Sequence, residues 1–388
     1  MTGFSDGEGC FHVEVIPNSS VKVGYLVSAV FSISLHSKDV NILRQIKSYF
    51  NEVGSLSVNS KINKCFYRVK SIDEIVNNII PHFDKYPLKS RKNADYVLWK
   101  NIANIINLKG HLNNHGFQEI LNNKATLNRG LNEKLSKAFP FSQPVPRPSV
   151  PEITNFDPYW IAGFTTGEGC FRIRTYKNSK RTLGHTISLQ FILTQHSIDS
   201  QLISRVKDYL GCGHFRVYSE NRPACEMRVN DIKSIVDIII PLFQEYHILG
   251  VKALDFADFC KAAEIVKTGA HNSQEGSDQI LAIKVGMNKG RLDPSHQISA
   301  EPCIEESGSF YVYNHNHTVL YYQTTNLSEL TEDLEIKRYN LLRCLDKGTV
   351  YYTKFTFSRS LIPEAKHHLI SLGELKALML NVRLKRNK

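Results

Sequence analysis

The chain has 388 residues, enough for two or three domains with cores of their own, and a 42% hydrophobic, 22% charged composition that excludes an intrinsically disordered protein. Its 48 Lys+Arg against 37 Asp+Glu give a net charge of +11, which favours a polyanionic partner, most often nucleic acid. No apolar run approaches 18 residues and no N-terminal signal or transit pattern is visible, which excludes a membrane-spanning helix and disfavours a secreted or imported form of the sequence as written.

The opening MTGFSDGEGCF reads as a short helix ending at Glu8, with Gly9 suited to a helix stop. Phe11, Val13 and Val15 step by two, as do Phe31, Ile33 and Leu35, so two strands follow. Ser37 can cap a helix that carries Val40, Leu43, Ile46 and Phe50 at helical spacing. Two shorter strands come next, near 54–59 and 64–70, followed by a helix from 71 to about 83 and helices over 88–107 and 116–127. The order α-β-β-α-β-β-α predicts an α+β unit, a four-stranded antiparallel sheet with helices on one face.

The opening phrase returns as IAGFTTGEGCF from Ile161, and the rest of the unit follows it at a shift of 160. Glu8 matches Glu168, Phe31 matches Phe191, Asp39 matches Asp199, Cys65 matches Cys225, Pro81 matches Pro241, Lys92 matches Lys252 and Asn128 matches Asn288. One register held over about 130 residues is a tandem duplication. Five prolines in PFSQPVPRPSVP (140–151) mark a stiff linker. The predicted organisation is repeat one over 1–139, linker 140–156, repeat two over 157–291, a second linker 292–308, and a C-terminal segment 309–388. The last 89 residues carry +2, so +9 of the charge lies in the duplicated part. The eight cysteines show no CxxC and no zinc-like spacing, and read as reduced thiols.

Strand side chains alternate, so the residues between the apolar ones face away from the helices. In repeat one these are His12, Glu14, Ser28, Ser32, Ser34, Ser55, Ser57, Asn59, Lys64, Arg68 and Lys70. In repeat two they are Arg172, Arg174, Tyr176, Thr186, Ser188, Gln190, Thr194, His214, Arg216, Tyr218, Glu226, Arg228 and Asn230. Such a saddle of basic and hydrogen-bonding groups suits phosphates and base edges in a major groove; a merely solvated face is the alternative.

Gly3 and Gly7, like Gly163 and Gly167, are four apart, so each motif helix shows a bare stripe that permits close packing of one helix on the other. If the stripes pack in parallel, Glu8 and Glu168 meet at two helix C-termini, where the dipoles are already negative. Like charges cost roughly 4 kcal/mol at ~4 Å and an effective dielectric of ~20, unless a proton or cation compensates. With the freed carbonyls of Gly7 and Gly167 as further oxygen ligands, the pattern suits Mg²⁺, and with a basic saddle it implies metal-dependent phosphodiester hydrolysis.

These residues carry a resemblance. Both phrases are similar to the LAGLIDADG motif, and the duplication with its Pro-rich linker resembles single-chain LAGLIDADG homing endonucleases of fungal mitochondrial introns. The resemblance covers about residues 1–291 and includes QHSIDSQL, YLGCG, IIIPLF and MNKGR. It implies a monomer that binds double-stranded DNA, holds Mg²⁺ (or Mn²⁺ in its place) at Glu8 and Glu168, and cuts across the minor groove to leave short 3′ overhangs. It also implies a mitochondrial location, and an alternative role as a maturase that binds intron RNA. The halves differ: Asp6 faces Thr166 as its counterpart, Leu35 faces Gln195, and Lys70 faces Asn230, which implies a non-palindromic target. Gln195 is a candidate to order a water near one metal, with a structural amide as the alternative.

Residues 310–358 read as strand, helix, turn, helix, strand, with Ser328 as a cap and Leu330 and Leu334 inward. The segment resembles the small helix-turn-helix modules appended to homing nucleases, with Lys337, Arg338, Tyr339, Asn340 and Arg343 available to DNA. Packing or partner contact is the competing role. Asn314 to His317 read as a hairpin turn and the terminal RLKRNK as a solvated tail. Because the first phrase starts at the equivalent of Ile161, we expect a native product with a longer first helix.

Overall fold

The computed structural model describes the chain apart from residues 151, 154, 220, 293–308, 325–329, 331–333, 335, 337–340, 342, 343, 346–349, 352, 353, 359, 387 and 388. It divides into two compact units, Met1–Gln297 and Ile298–Lys388, so both repeats lie within one unit.

Each repeat is a short helix, Thr2–Glu8 or Pro158–Glu168, followed by a four-stranded antiparallel sheet. Strands β1 (Gly9–Pro17), β2 (Tyr25–His36), β3 (Ser55–Asn59) and β4 (Lys64–Val69) take the order β1-β2-β4-β3. In repeat two, β5 (Gly169–Lys177), β6 (His185–His196), β7 (His214–Val217) and β8 (Ala224–Val229) take the order β5-β6-β8-β7. Helices cover one face of each sheet. Phe11, at the centre of the first core, lies 5.1–5.2 Å from the rings of Phe31, Phe83 and Trp99. Phe171 holds the same place in the second, 5.4 Å from Phe191 and Phe259 and 5.8 Å from Phe243.

Three local expectations are corrected. Ser37 does not cap the helix Val40–Tyr49; Ser37–Asp39 form a 3-10 turn whose cap is the His36 ring, which accepts from the Lys38 amide. The helix predicted from 71 is α-helical only at its ends, with a π segment at Ile75–Ile79 just before Pro81 and again at Ile235–Ile239 before Pro241. Proline donates no amide and crowds the carbonyl four residues back, and the wider turn relieves both. The helix predicted from 88 starts at Lys92, because residues 88–91 make the connection that reaches the motif helices.

The second unit holds a four-stranded sheet. Strands β9 (Phe310–Asn314), β10 (Val319–Thr324), β11 (Phe355–Ser358) and β12 (Lys366–His367) take the order β11-β9-β10-β12, with β12 parallel to β10. Asn314 to His317 do form a hairpin turn, with the Asn314 side chain accepting from the Val319 amide and His317 at φ +60°. The predicted single strand is therefore a hairpin. The terminal basic stretch is not a tail through Arg386, because the helix Leu372–Arg386 takes it in. Ser328 and most of the expected helix-turn-helix, including Lys337 to Asn340 and Arg343, lie outside the described residues. Leu330, Leu334, Ile336 and Leu341 are buried in this unit's core.

Candidate active site

The two motif helices pack through their bare stripes. A Cβ on Gly3 would lie 2.0 Å from the Trp160 carbonyl oxygen, and one on Gly163 would lie 3.0 Å from the Phe4 amide nitrogen. Lower down, a Cβ on Gly167 would lie 3.7 Å from the Gly7 Cα. At this end each glutamate leans across to the other helix: Glu168 Cγ is 3.2 Å from where a Gly7 Cβ would be, and Glu8 Cγ is 3.4 Å from the Gly167 position. Gly9 and Gly169 end the helices as expected, in extended conformation with φ −72° and −73°. Glycine is needed there for room, since a Cβ would meet the Ser5 carbonyl oxygen at 2.8 Å and Thr165 Cγ2 at 2.4 Å.

Burial, and then the Glu168 carboxylate, raise the Glu8 carboxyl above its ordinary value, and Lys252 and Lys92 oppose the shift. These lysines are the part of the site that sequence reasoning missed. Lys92 Nζ donates to the carbonyls of Ser5 and Gly7, each at 2.9 Å; Lys252 Nζ donates to those of Thr165 at 3.1 Å and Gly167 at 2.7 Å. The Gly7 and Gly167 carbonyls are therefore not free, as expected from the sequence, but occupied by ammonium groups that neutralise both helix ends. Burial lowers the pKa of both lysines, and the two glutamates act to raise them.

The helices that carry these lysines in their first turn are fixed from the other repeat. Asp39 of repeat one accepts from the Val251 amide at 2.8 Å, and Asp199 of repeat two accepts from the Arg91 amide at 2.7 Å. Asp6, fully buried, ties three segments together through its carboxyl, which accepts from the amides of Lys89 and Ser90 and, at 2.8 Å, from Trp160 Nε1 of the partner helix. Thr166, its counterpart, donates to the Ala162 carbonyl and accepts from the Leu249 amide. Gln195 comes to the centre as expected, donating to Glu168 Oε1 at 3.3 Å, while its own Oε1 accepts from the His196 amide.

On the outer sheet faces, Arg172, Arg174, Tyr176, His214 and Arg216 are exposed, as are Ser34, Ser57, Lys64, Arg68 and Lys70. His12, Glu14, Ser28, Ser32, Thr186, Ser188, Thr194, Tyr218 and Arg228 are partly so, and Asn230 is exposed just past the end of β8. Two expected surface groups are corrected: Gln190 is 4% and Glu226 7% exposed, Glu226 being engaged by Arg228 and the Tyr218 hydroxyl. Glu14 is held by Lys70 at 2.7 Å, which lowers its pKa.

A family model described as LAGLIDADG endonuclease matches residues 1–103 and 161–263, one segment in each repeat, and each takes in the Gly-x-x-x-Gly-Glu stretch of a motif helix. The chain belongs to the LAGLIDADG endonuclease family. It is 34% identical over 283 residues to "Probable intron-encoded endonuclease 3" and 35% identical over 294 residues to "Probable intron-encoded endonuclease 2", both of Neurospora crassa. Each match takes in 73% of this chain but 52% and 63% of those proteins, so the chain spans about half to under two thirds of its relatives' length. Among solved structures, the I-SmaMI LAGLIDADG homing endonuclease bound to cleaved DNA superposes with a TM-score of 0.72 at 38% identity, covering 75% of this chain and 96% of that one. The same enzyme bound to an uncleaved target in the presence of calcium ions gives 0.72 at 37% identity, covering 74% and 97%.

The donor set of this LAGLIDADG pair fits a hard divalent cation. Two carboxylates converge, burial already raises the pKa of Glu8, and every available donor is oxygen. No group of three or more His, Cys, Asp and Glu occurs among the described residues, so no closed protein cage forms; the set suits an ion that keeps waters and takes substrate oxygens.

Proposed function

We propose that the chain is a homing-type, site-specific DNA endonuclease that makes a double-strand break at a long, asymmetric target. Glu8 and Glu168 hold Mg²⁺, with Mn²⁺ able to replace it. The observation that carries this reading is the convergence of Glu8 and Glu168 where the two motif helices pack, each helix leading directly into a sheet with basic groups on its outer face. A divalent ion bound there supplies Lewis-acid chemistry for phosphodiester hydrolysis. Glu8 and Glu168 bind it in ionised form, and Lys92 and Lys252 hold the two helix ends in place through the Gly7 and Gly167 carbonyls. Gln195 orients Glu168 in one half only, which makes the two strand cuts unequal.

The I-SmaMI complex with uncleaved DNA in the presence of calcium ions supports a divalent ion, and the intron-encoded names of the two fungal relatives support an intron product. A mitochondrial location rests on the family resemblance. We assign 1–139 and 157–291 as the repeats of a DNA-binding monomer, 140–156 and 292–308 as linkers, and 309–388 as an accessory module. The reading is tested with the purified chain, Mg²⁺ and a plasmid carrying the intronless junction. A double-strand cut that EDTA abolishes is expected; tight binding to intron RNA with no cut would overturn it in favour of a maturase.

A further inference from the structure

The exposed faces of the two sheets differ most at one place. In the second sheet, the β7–β8 register sets Arg216 opposite Glu226 and His214 opposite Arg228. In the first sheet the same two rungs are Ser57 opposite Phe66 and Ser55 opposite Arg68. The buried Glu226 uses both carboxylate oxygens: Oε1 meets Arg228 Nη2 at 2.5 Å, and Oε2 accepts from the Tyr218 hydroxyl at 3.1 Å. The Tyr218 ring in turn carries the guanidinium groups of Arg216 and Arg222, their Cζ atoms 4.7 and 4.2 Å from its centroid. One guanidinium thus pairs with the carboxylate and two more lie on the ring of the tyrosine that bonds it, leaving a local excess of positive charge. In the first sheet Arg68 has no carboxylate at this rung and lies 5.5 Å over the Phe66 ring.

Arg228, with Nη2 on the buried acid and Nε buried, loses its rotamer freedom before any ligand arrives, so the remaining N–H groups of its planar guanidinium are held in place for one. The acceptor pair that matches such a fork in a major groove is N7 and O6 of guanine. Phosphate also accepts a fork, but position separates the two roles. Arg228 stands on β8, an inner strand of its sheet, where side chains rise toward a groove floor. Arg222 lies in the turn joining β7 to β8, at the sheet's end, where flanking phosphates pass.

Resting on the endonuclease reading above, we infer that Arg216, Tyr218, Glu226 and Arg228 form a guanine-reading site. The half-target under repeat two carries guanine at the contacted steps, and this cluster fixes which way round the protein sits on its asymmetric site. Repeat one, with serines at the matching rungs, lacks the device.

The test uses the full chain and a library of randomised linear duplexes, selected for binding in Ca²⁺ and sequenced. One half of the selected site should be guanine-enriched. Arg228→Lys keeps the charge and loses the fork, and should lower guanine preference at one step about tenfold without weakening retention of bulk DNA. Glu226→Gln should weaken preference at the same step, and Arg68→Ala should leave that step alone. If a site is selected but Arg228→Lys weakens all sequences equally, or changes nothing, the cluster is a phosphate clamp or a structural staple and the inference fails while the nuclease reading stands. If no sequence is enriched and DNA retention shows no salt dependence, both fail.

Discussion

Replacing Gly3 with alanine sets a methyl carbon 2.0 Å from the Trp160 carbonyl oxygen, 2.8 Å from its carbonyl carbon and 2.9 Å from the Phe164 amide nitrogen. All three are backbone atoms of the opposite helix, so no side-chain rotation relieves the clash. The helices must part by more than an ångström at this level to restore ordinary contact. Overpacking of a rigid core costs about 1–3 kcal/mol, and Gly3→Ala belongs at or above the upper end. Gly163→Ala, 3.0 Å from the Phe4 amide, should cost less. Gly7→Ala and Gly167→Ala meet Glu168 Cγ at 3.2 Å and Glu8 Cγ at 3.4 Å, side-chain atoms that can shift, and should cost about 1 kcal/mol or less. Urea unfolding of the four variants measures the order through the midpoint, with the slope unchanged. Gly7→Ala and Gly167→Ala should nevertheless impair cleavage, since the atoms that yield belong to the site glutamates. Equal losses across the series, or Gly3→Ala as stable as the parent, would refute direct backbone packing of the two helices.

Asp39→Ala removes the acceptor for the Val251 amide across the repeats; it should cost about 1 kcal/mol and slow one strand's cut, seen as nicked plasmid accumulating, while Asp39→Asn restores both. His82 is bonded by Thr2 Oγ1 and the Tyr49 hydroxyl, each at 3.0 Å, and burial, followed by the nearby N-terminal charge, lowers its pKa to about 4. Between an unfolded value of about 6.5 and that folded value the unfolded chain binds the extra proton. Stability should therefore be complete above this window and fall as pH drops through it, by up to about 1.4 kcal/mol per pH unit; denaturation across the range should show that slope, and His82→Gln should remove it. Because Glu8 must be ionised to hold a cation and its pKa is raised, cleavage should fail on acidification above the ordinary carboxylate range, which single-turnover rates against pH would show.

What the sequence made legible is what it repeats. The 160-residue register exposed the duplication, the strand alternation located the sheets, and the Gly-x-x-x-Gly spacing placed Glu8 and Glu168 at one crossing. The residues that support this crossing were visible as matches but carried no local signal of their role. Lys92 and Lys252 look like ordinary surface lysines at helix starts until the fold turns them onto the Gly7 and Gly167 carbonyls. Asp39 and Asp199 act on the opposite repeat, and pairing of that kind is a product of tertiary symmetry that no linear pattern encodes. Alternation assigned Gln190 and Glu226 to the outer face but not their burial, which for Glu226 comes with the lean of Arg228 and Tyr218 onto it. The Asp6–Trp160 bond joins residues 154 apart in the chain and explains why Asp6 need not be repeated, since Thr166 holds its own half by other contacts.

In the proposed reaction Glu8 and Glu168 together hold the cation needed to cut both strands. The most direct measurement incubates the parent, Glu8→Gln and Glu168→Gln with Mg²⁺ and a plasmid carrying the selected site, and follows nicked and linear forms while DNA retention is measured in parallel. Linear product is expected from the parent alone, with both variants still retaining the DNA. Linear product at the parental rate from either variant would contradict this.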